Sequence, residues 1–171
     1  MLRLCAAGVL LLVLGACEST NQDYQPAQPI TYSHAVHAGD LQIQCQYCHF
    51  AAERGRYAGI PPAAICMNCH AQVRKDHPEV VKIREAIENN DPISWVRVNQ
   101  LPDHATFNHS AHIGADVECQ TCHGQIQEMA LVKQDAPLTM GWCLDCHREQ
   151  PISFGLPERA GQLTDCSTCH H

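Results

Sequence analysis

The sequence has few of the side chains that form a conventional hydrophobic core. Only three Phe, two Trp and four Tyr occur among its 171 residues. Large aromatic side chains contribute much of the apolar area that a globular core removes from water. A chain of this length with so few of them is therefore predicted to obtain buried apolar surface from another source.

The sequence also lacks an excess of positive charge. Eleven Lys and Arg stand against eighteen Asp and Glu, which gives a formal net charge of −7 with neutral His. Proteins that bind nucleic acid neutralise its phosphates with clustered Lys and Arg. The balance argues against nucleic acid as a partner and favours association with basic patches on other proteins.

Cysteine is abundant, but almost none of it is available for disulfides. Of twelve Cys, ten lie in five Cys-x-x-Cys-His motifs, and the other two are Cys5 and Cys17. Roughly 0.06 such motifs would be expected by chance at this composition. In chain order, motifs 1 to 5 are Cys45-Gln-Tyr-Cys48-His49, Cys66-Met-Asn-Cys69-His70, Cys119-Gln-Thr-Cys122-His123, Cys143-Leu-Asp-Cys146-His147 and Cys166-Ser-Thr-Cys169-His170.

Each motif is the attachment signal of haem c, in which two thiols bond to the porphyrin and the adjacent His binds the iron. We therefore predict five haem c groups, held by the ten motif Cys, with the five motif His as proximal ligands. Zinc sites also use Cys-x-x-Cys pairs, but zinc does not explain a His after every second Cys. The macrocycles would then form the core of a mostly irregular fold, with short α-helices carrying the motifs and little β structure.

The first residues have the pattern of an export signal. Arg3 precedes an apolar segment, Leu4 to Val13, that is too short to span a bilayer. Leu14-Gly15-Ala16-Cys17 resembles the lipobox of bacterial lipoproteins, in which cleavage precedes a lipidated Cys. We predict a signal peptide over 1–16 and lipidation of Cys17, with an ordinary cleaved signal peptide as the alternative.

A repeat divides the rest of the chain. Thr31-Tyr-Ser-His34-Ala-Val-His37 precedes motif 1, and Thr106-Phe-Asn-His109-Ser-Ala-His112 precedes motif 3, each with a Gly in between. We call residues 31–49 the first copy and residues 106–123 the second copy. A lipidated N-terminus and tether over 17–30 is predicted to lead into one haem domain, 31–171, with a two-haem module (31–75), a connecting helix and strand (76–105) and a three-haem module (106–171).

The connecting segment carries the clearest periodic patterns. Pro78 to Asn90 places Val80, Ile83 and Ile87 on one helix face, with Pro78 in the first turn. Trp95 to Val98 alternates like a short strand.

The His-x-x-His pairs upstream of the motifs resemble those of small class III multihaem cytochromes of the c7 and c3 type. There, the first His of the pair is the distal ligand of the haem that follows, and the second serves a later haem. The resemblance implies that His34 faces His49, His37 faces His70, His109 faces His123, and His112 faces His147.

Motif 5 still needs a distal ligand. In the three-haem relatives a His shortly before the second motif serves the third haem, and Met140 stands in that neighbourhood here. The resemblance therefore favours Met140, with ordinary core packing as its other role. His104, His77 and His171 are the remaining alternatives. A thioether ligand would give this haem a higher reduction potential than bis-His ligation gives.

A more specific resemblance covers nearly the whole mature chain. Trp95-Val-Arg-Val-Asn-Gln-Leu-Pro-Asp103, Phe107-Asn-His-Ser110, Glu118-Cys-Gln-Thr-Cys-His-Gly124 and Pro137-Leu-Thr-Met-Gly-Trp-Cys143 resemble the pentahaem cytochrome subunit of bacterial alternative complex III.

That resemblance implies an electron-transfer subunit, not catalytic on its own, that relays electrons from a quinol-oxidising membrane complex. The implied partners are integral membrane subunits, an iron–sulfur subunit like the molybdopterin enzymes, and a monohaem cytochrome c or terminal oxidase as acceptor. The implied location is the periplasmic side of the cytoplasmic membrane, through a lipid anchor. The alternatives are a free-standing periplasmic electron carrier and a multihaem reductase, although no Cys-x-x-Cys-Lys motif occurs.

Overall fold

The structure is a computed structural model that describes residues 20–171. The predicted signal segment 1–16 and Cys17 lie outside the described residues. Eight α-helices, a π-helical segment (Ala35–Asp40) and a 3-10 turn (Ile126–Glu128) form the described part. The helices are α1 Cys45–Cys48, α2 Ala63–His70, α3 Pro78–Glu88, α4 His109–Ile113, α5 Gln120–His123, α6 Met140–Ser153, α7 Arg159–Leu163 and α8 Cys166–Cys169.

The predicted fold class is confirmed, because the described residues form short helices and irregular segments without strands. Each of the five motifs lies on or directly beside a helix, namely α1, α2, α5, α6 and α8. Helices of about one to four turns are marginal by themselves in water. Their stability must come from tertiary contacts and from the groups bonded to the motif cysteines.

Helix α3 forms where the sequence predicted it, but only the first part of its predicted apolar face is buried, and Ile87 is exposed. The His77 side chain accepts a hydrogen bond from the Glu79 N–H at its start, and Val80 and Ile83 are buried. The Glu79 carboxylate also accepts a hydrogen bond from the Thr31 N–H at 2.7 Å. This contact ties α3 to the beginning of the first copy.

The strand predicted over Trp95–Val98 does not form, and that prediction was wrong. The backbone of Val96 pairs with one side chain instead of a neighbouring strand. The Gln28 amide donates to the Val96 carbonyl at 2.9 Å and accepts from the Val96 N–H at 2.9 Å. One glutamine thus satisfies both backbone groups, which is why an alternating pattern can stay extended without a sheet.

Few side chains are buried. Gln134 is fully buried and joins three segments, since its backbone bonds to Asp23 and Tyr24 and its side chain accepts from the Gln100 N–H and donates to the Ala136 carbonyl. The buried positions within residues 20–171 are Ile30, Ala52, Val80, Ile83, Gly124, Gln134, Ala136 and Pro151. A protein core made of these residues alone would be very small, as the scarcity of aromatic residues predicted.

Reciprocal backbone hydrogen bonds connect each copy to the loop that follows the other copy. The Ala35 N–H donates to the Met129 carbonyl at 3.0 Å, and the Ser110 N–H donates to the Gly55 carbonyl at 3.1 Å. Ala35 and Ser110 each follow the first His of a pair, and Gly55 and Met129 are each the sixth residue after a motif His. Each His pair is therefore held by the loop that follows the motif of the other copy.

A close backbone approach lies at the same contact. A Cβ atom on Gly39 would overlap the Gln127 carbonyl oxygen, so only glycine fits between the π-helical segment and the 3-10 turn. Among residues 20–171, no helix has the length and apolar character needed to cross a membrane.

Candidate functional site

The motif cysteines lie where two covalent bonds to one group require them. In α1, α2, α6 and α8 both Cys of the motif belong to one helix, and in motif 3 Cys119 caps α5. Residues three apart on a helix share a face. Each pair of thiols therefore presents two sulfur atoms to the same side, next to the motif His.

Neighbouring thiols identify which motifs lie side by side. Burial is the main cause that raises the pKa of the Cys48 thiol, and the Cys66 and Cys69 thiols of motif 2 add to it. Burial also raises the pKa of Cys119, and the Cys45 thiol of motif 1 adds to that rise. Burial raises the pKa of Cys122 to about 11, with contributions from Cys146 and Cys143 of motif 4. Burial raises the pKa of Cys143, and Cys169 of motif 5 contributes. The motifs therefore follow one another in space in the order 2, 1, 3, 4, 5.

Three of the motif histidines have their Nδ1 atoms within hydrogen-bond distance of backbone carbonyls. His49 Nδ1 lies 2.7 Å from the Gly59 oxygen, His70 Nδ1 2.9 Å from Val73 and His147 Nδ1 3.0 Å from Leu163. A carbonyl only accepts, so the proton lies on Nδ1 and the Nε2 lone pair is free to bind a metal.

Three of the upstream histidines are held in the same way. His37 Nδ1 lies 2.8 Å from the Ser33 carbonyl, His109 Nδ1 2.8 Å from Arg56, and His112 Nδ1 2.8 Å from Asn108. These residues sit in the π-helical segment and in α4. Their Nε2 atoms are likewise free for a metal.

The structure brings the upstream and motif histidines together in twos. Ring centroids are 6.5 Å apart for His34 and His49, 6.1 Å for His37 and His70, 6.5 Å for His109 and His123, and 5.9 Å for His112 and His147. Metal–imidazole bonds of about 2.0–2.1 Å, plus about 1.1 Å from nitrogen to centroid, would place two rings about 6.3 Å apart across one metal ion. The four separations fit one iron between each pair.

Comparison with known proteins agrees with this geometry. The family model "Cytochrome c7 and related cytochrome c" matches residues 105–171. The menaquinone reductase multihaem cytochrome c subunit of Nitratidesulfovibrio vulgaris is 34% identical, over 98% of this chain and 84% of the relative. This chain belongs to the multihaem cytochrome c family. Its cofactor is accordingly haem c, and the residues described above fit such groups.

Burial favours the neutral form of the His34 imidazole. Burial is the main cause that lowers the pKa of His34 to about 4, and His49, His37 and His123 contribute. The imidazole is therefore uncharged at neutral pH, with a lone pair available. Burial also lowers the pKa of His112 and His123.

Motif 5 has a different environment. The His170 and His104 rings lie 5.5 Å apart, but His170 Nδ1 donates to the carbonyl of His104 itself at 2.9 Å. The two nitrogens of an imidazole point to opposite sides of the ring. The backbone of His104 is therefore on the Nδ1 side of His170, and its short side chain cannot reach across a macrocycle to the far face of an iron bound at Nε2.

The His104 carbonyl thus orients the His170 ring, and the His104 side chain does not face the Nε2 atom of His170. The Thr106 N–H reinforces this arrangement by donating to the Cys169 carbonyl at 2.7 Å. Sequence reasoning missed this role because 66 residues separate the two histidines and no spacing pattern connects them. His77 is used at the start of α3, and His171 is exposed beside His170.

Met140 is the first residue of α6, one turn before Cys143, and 66% of it is exposed. Its thioether is therefore not packed into protein. Among residues 20–171, no group of three or more His, Cys, Asp or Glu converges on a single metal position.

Proposed function

We propose that this chain is the pentahaem electron-transfer subunit of a quinone-reactive membrane complex of the alternative complex III type. The observation that carries the proposal is the set of four histidine ring pairs at motifs 1 to 4, together with the closeness of thiols of successive motifs in the series 2, 1, 3, 4, 5. Haem c supplies a one-electron centre at each motif. The chain holds these centres in a row, which is what a relay needs.

The proposed iron ligands follow from the ring pairs. His49, His70, His123 and His147 are the proximal ligands, and His34, His37, His109 and His112 are their respective distal partners. Ring separations of 5.9 to 6.5 Å support the assignment. With both axial positions filled, no substrate can reach the iron, so the subunit would not be catalytic on its own.

For motif 5 the proposed ligands are His170 and Met140. Two observations support Met140. It begins the helix that carries motif 4, whose Cys143 neighbours Cys169 of motif 5, and its side chain is largely exposed. The chief His alternative, His104, is occupied on the proximal side of His170.

Motif 5 would then be the high-potential end of the series, and motif 2 the opposite end. Electrons would leave the subunit near motif 5 if the complex oxidises quinol and passes electrons to a periplasmic cytochrome or a terminal oxidase. An iron–sulfur subunit and integral membrane subunits would supply them near motif 2. Any electrostatic steering would favour basic patches on these partners, given the net charge of −7.

The relative favours a second candidate, with the opposite direction of flow. It is named as a subunit of a menaquinone reductase, which implies electrons entering from the periplasm and leaving toward menaquinone. Reduction of the haems on addition of menaquinol to the purified complex supports quinol oxidation. Rapid oxidation of pre-reduced haems by menaquinone, with no reduction by menaquinol, supports the second direction.

We also propose a location on the periplasmic side of the cytoplasmic membrane, with Cys17 as the lipid anchor. The residues that support it are the lipobox-like Leu14-Gly15-Ala16-Cys17 and the apolar segment before it. A Cys17→Ser variant with an intact apolar segment should not be lipidated, and mass measurement of the mature N-terminus decides this.

Purification in mild detergent tests the complex itself. We expect an iron–sulfur subunit and integral membrane subunits to co-purify and to be identified by mass spectrometry. A chain that becomes soluble and elutes alone after removal of its lipid would instead be a free-standing electron carrier.

A Met140→His variant tests the ligand of motif 5. Replacing a thioether by an imidazole removes the ligand that favours ferrous iron, so we expect one of five midpoints in an optical redox titration to fall. The matched control is Met129→Leu, which keeps volume and whose backbone carbonyl is unchanged. An unchanged set of midpoints in Met140→His would remove Met140 from the site.

A further inference from the structure

One aromatic residue stands two positions before each His pair, and it touches both members of the pair. Tyr32 contacts His34 edge-on, with centroids 4.8 Å apart at 84°, and stacks on His37 at 4.3 Å and 24°. Edge-to-face and offset-stacked contacts are the arrangements that aromatic rings prefer. A single ring therefore contacts two imidazoles that face two different motifs.

The second copy repeats this geometry closely. Phe107 contacts His109 edge-on at 4.8 Å and 88°, and stacks on His112 at 4.4 Å and 26°. The contact is thus independent of the tyrosine hydroxyl, because phenylalanine makes it equally well. What the two copies share is the aromatic ring and its position.

The interplanar angle between an upstream histidine and its motif histidine depends on whether the upstream ring contacts the aromatic residue edge-on or by stacking. The edge-on histidines, His34 and His109, lie nearly parallel to their motif partners, at 7° and 8°. The stacked histidines, His37 and His112, are tilted by 59° and 28° from theirs. In each copy, the histidine that meets the aromatic ring edge-on is nearly parallel to its motif histidine, and the histidine that stacks on the aromatic ring is tilted from its motif histidine.

The first copy depends on the aromatic ring more than the second. His109 is also fixed by its hydrogen bond to the Arg56 carbonyl. The buried His34 Nδ1 has no hydrogen-bond partner among the described residues. For His34 the ring of Tyr32 is therefore a main restraint on the imidazole plane.

We infer that Tyr32 and Phe107 are positioning residues, each of which sets the imidazole planes of the two distal ligands in its copy together. The inference rests on the distal ligands proposed above. Rotation of one imidazole requires the aromatic ring to move, and that movement disturbs the second imidazole. Each aromatic residue would thereby link the electronic properties of two neighbouring haems, those of motifs 1 and 2 or of motifs 3 and 4.

Low-spin ferric electron paramagnetic resonance tests this, because the g-values depend on the angle between the two axial ligand planes. In a Tyr32→Leu variant of the full chain with five haems, we expect two signals to shift together. In Phe107→Leu we expect the other pair to shift, by a smaller amount. Tyr32→Phe is the matched control and should retain both signals, since Phe107 already occupies the equivalent place.

Signals are assigned by single variants, since His34→Ala and His37→Ala should each remove one low-spin signal. A shift of one signal or none in Tyr32→Leu would overturn the inference, as would an equal shift in Tyr32→Phe. If Tyr32→Leu loses haem, Tyr32→Trp replaces it in the test. Tryptophan keeps an aromatic face against His37 but changes the position of the ring edge that contacts His34, so two low-spin signals should again shift together. A wild-type spectrum without these low-spin signals would instead refute the ligand assignment.

Discussion

Replacing His112 with alanine is expected to convert the haem of motif 4 from low-spin to high-spin, given the five haems and the axial ligands proposed above. The His112 ring lies 5.9 Å from His147, and its Nδ1 atom is held by the Asn108 carbonyl. Removing the ring leaves the iron without its sixth ligand. The ferric spectrum should gain a high-spin signal of about one fifth of the haem, and the reduced protein should bind carbon monoxide at that site.

The control and the rescue are both available for this variant. His77→Ala removes a histidine that caps α3 and belongs to no ring pair, so it should lower stability by about 0.5–2 kcal/mol without changing spin state. Added imidazole should restore the low-spin spectrum of His112→Ala by filling the vacated position. A fully low-spin His112→Ala protein without added imidazole would show that His112 is not the ligand.

Replacing Gly124 with alanine is expected to cause a large loss of stability for the addition of a single methyl group. Gly124 directly follows the motif histidine His123, is buried, and has φ 65° and ψ −163°. This region is essentially restricted to glycine and costs other residues of order 1–3 kcal/mol. A Cβ atom would also lie 2.5–2.8 Å from the Asp135 carboxylate, which would have to move.

Denaturant titration followed at the haem absorption measures the effect. We expect the free energy of unfolding to fall by at least about 2 kcal/mol in Gly124→Ala. Gly141→Ala is the matched control, because its Cβ would meet nothing within 4 Å and alanine is a better helix former than glycine. Equal midpoints for the two variants would contradict the strain at Gly124.

Adding Asp135→Ala to Gly124→Ala separates the two causes of this loss. If the clash with the carboxylate dominates, the double variant should recover most of the stability. If the backbone conformation dominates, as the flexibility of an aspartate side chain suggests, recovery should be small. We expect small recovery.

Local sequence patterns were sufficient to predict helix α3, but they wrongly predicted a strand at Trp95–Val98. Helix α3 could be predicted because Pro78 and the spacing of Val80 and Ile83 are properties of consecutive residues. The strand at Trp95–Val98 could not be judged in this way, because a strand needs a partner. The partner here is the side chain of Gln28, 68 residues earlier.

The histidine pairs also differ in whether the sequence could predict them. The resemblance of the His-x-x-His pairs to those of class III cytochromes implied four ring pairs, and the structure brings the two rings of each pair together. No spacing connects His104 with His170. Their contact arises because the Thr106 segment runs beside α8, which is a consequence of the whole chain.

The sequence by itself determined the cofactor class, the repeat and the short helices that carry the motifs. These follow from residues that act within a few positions of one another, where covalent attachment and helical spacing leave little freedom. Only the tertiary structure decided the spatial order of the motifs and the reciprocal hydrogen bonds of Ala35 and Ser110. It also decided the contacts of Tyr32 with two histidines at once. These depend on how distant parts of the chain pack against each other, because the Ala35 and Ser110 N–H groups each donate to a carbonyl in the loop that follows the motif of the other copy.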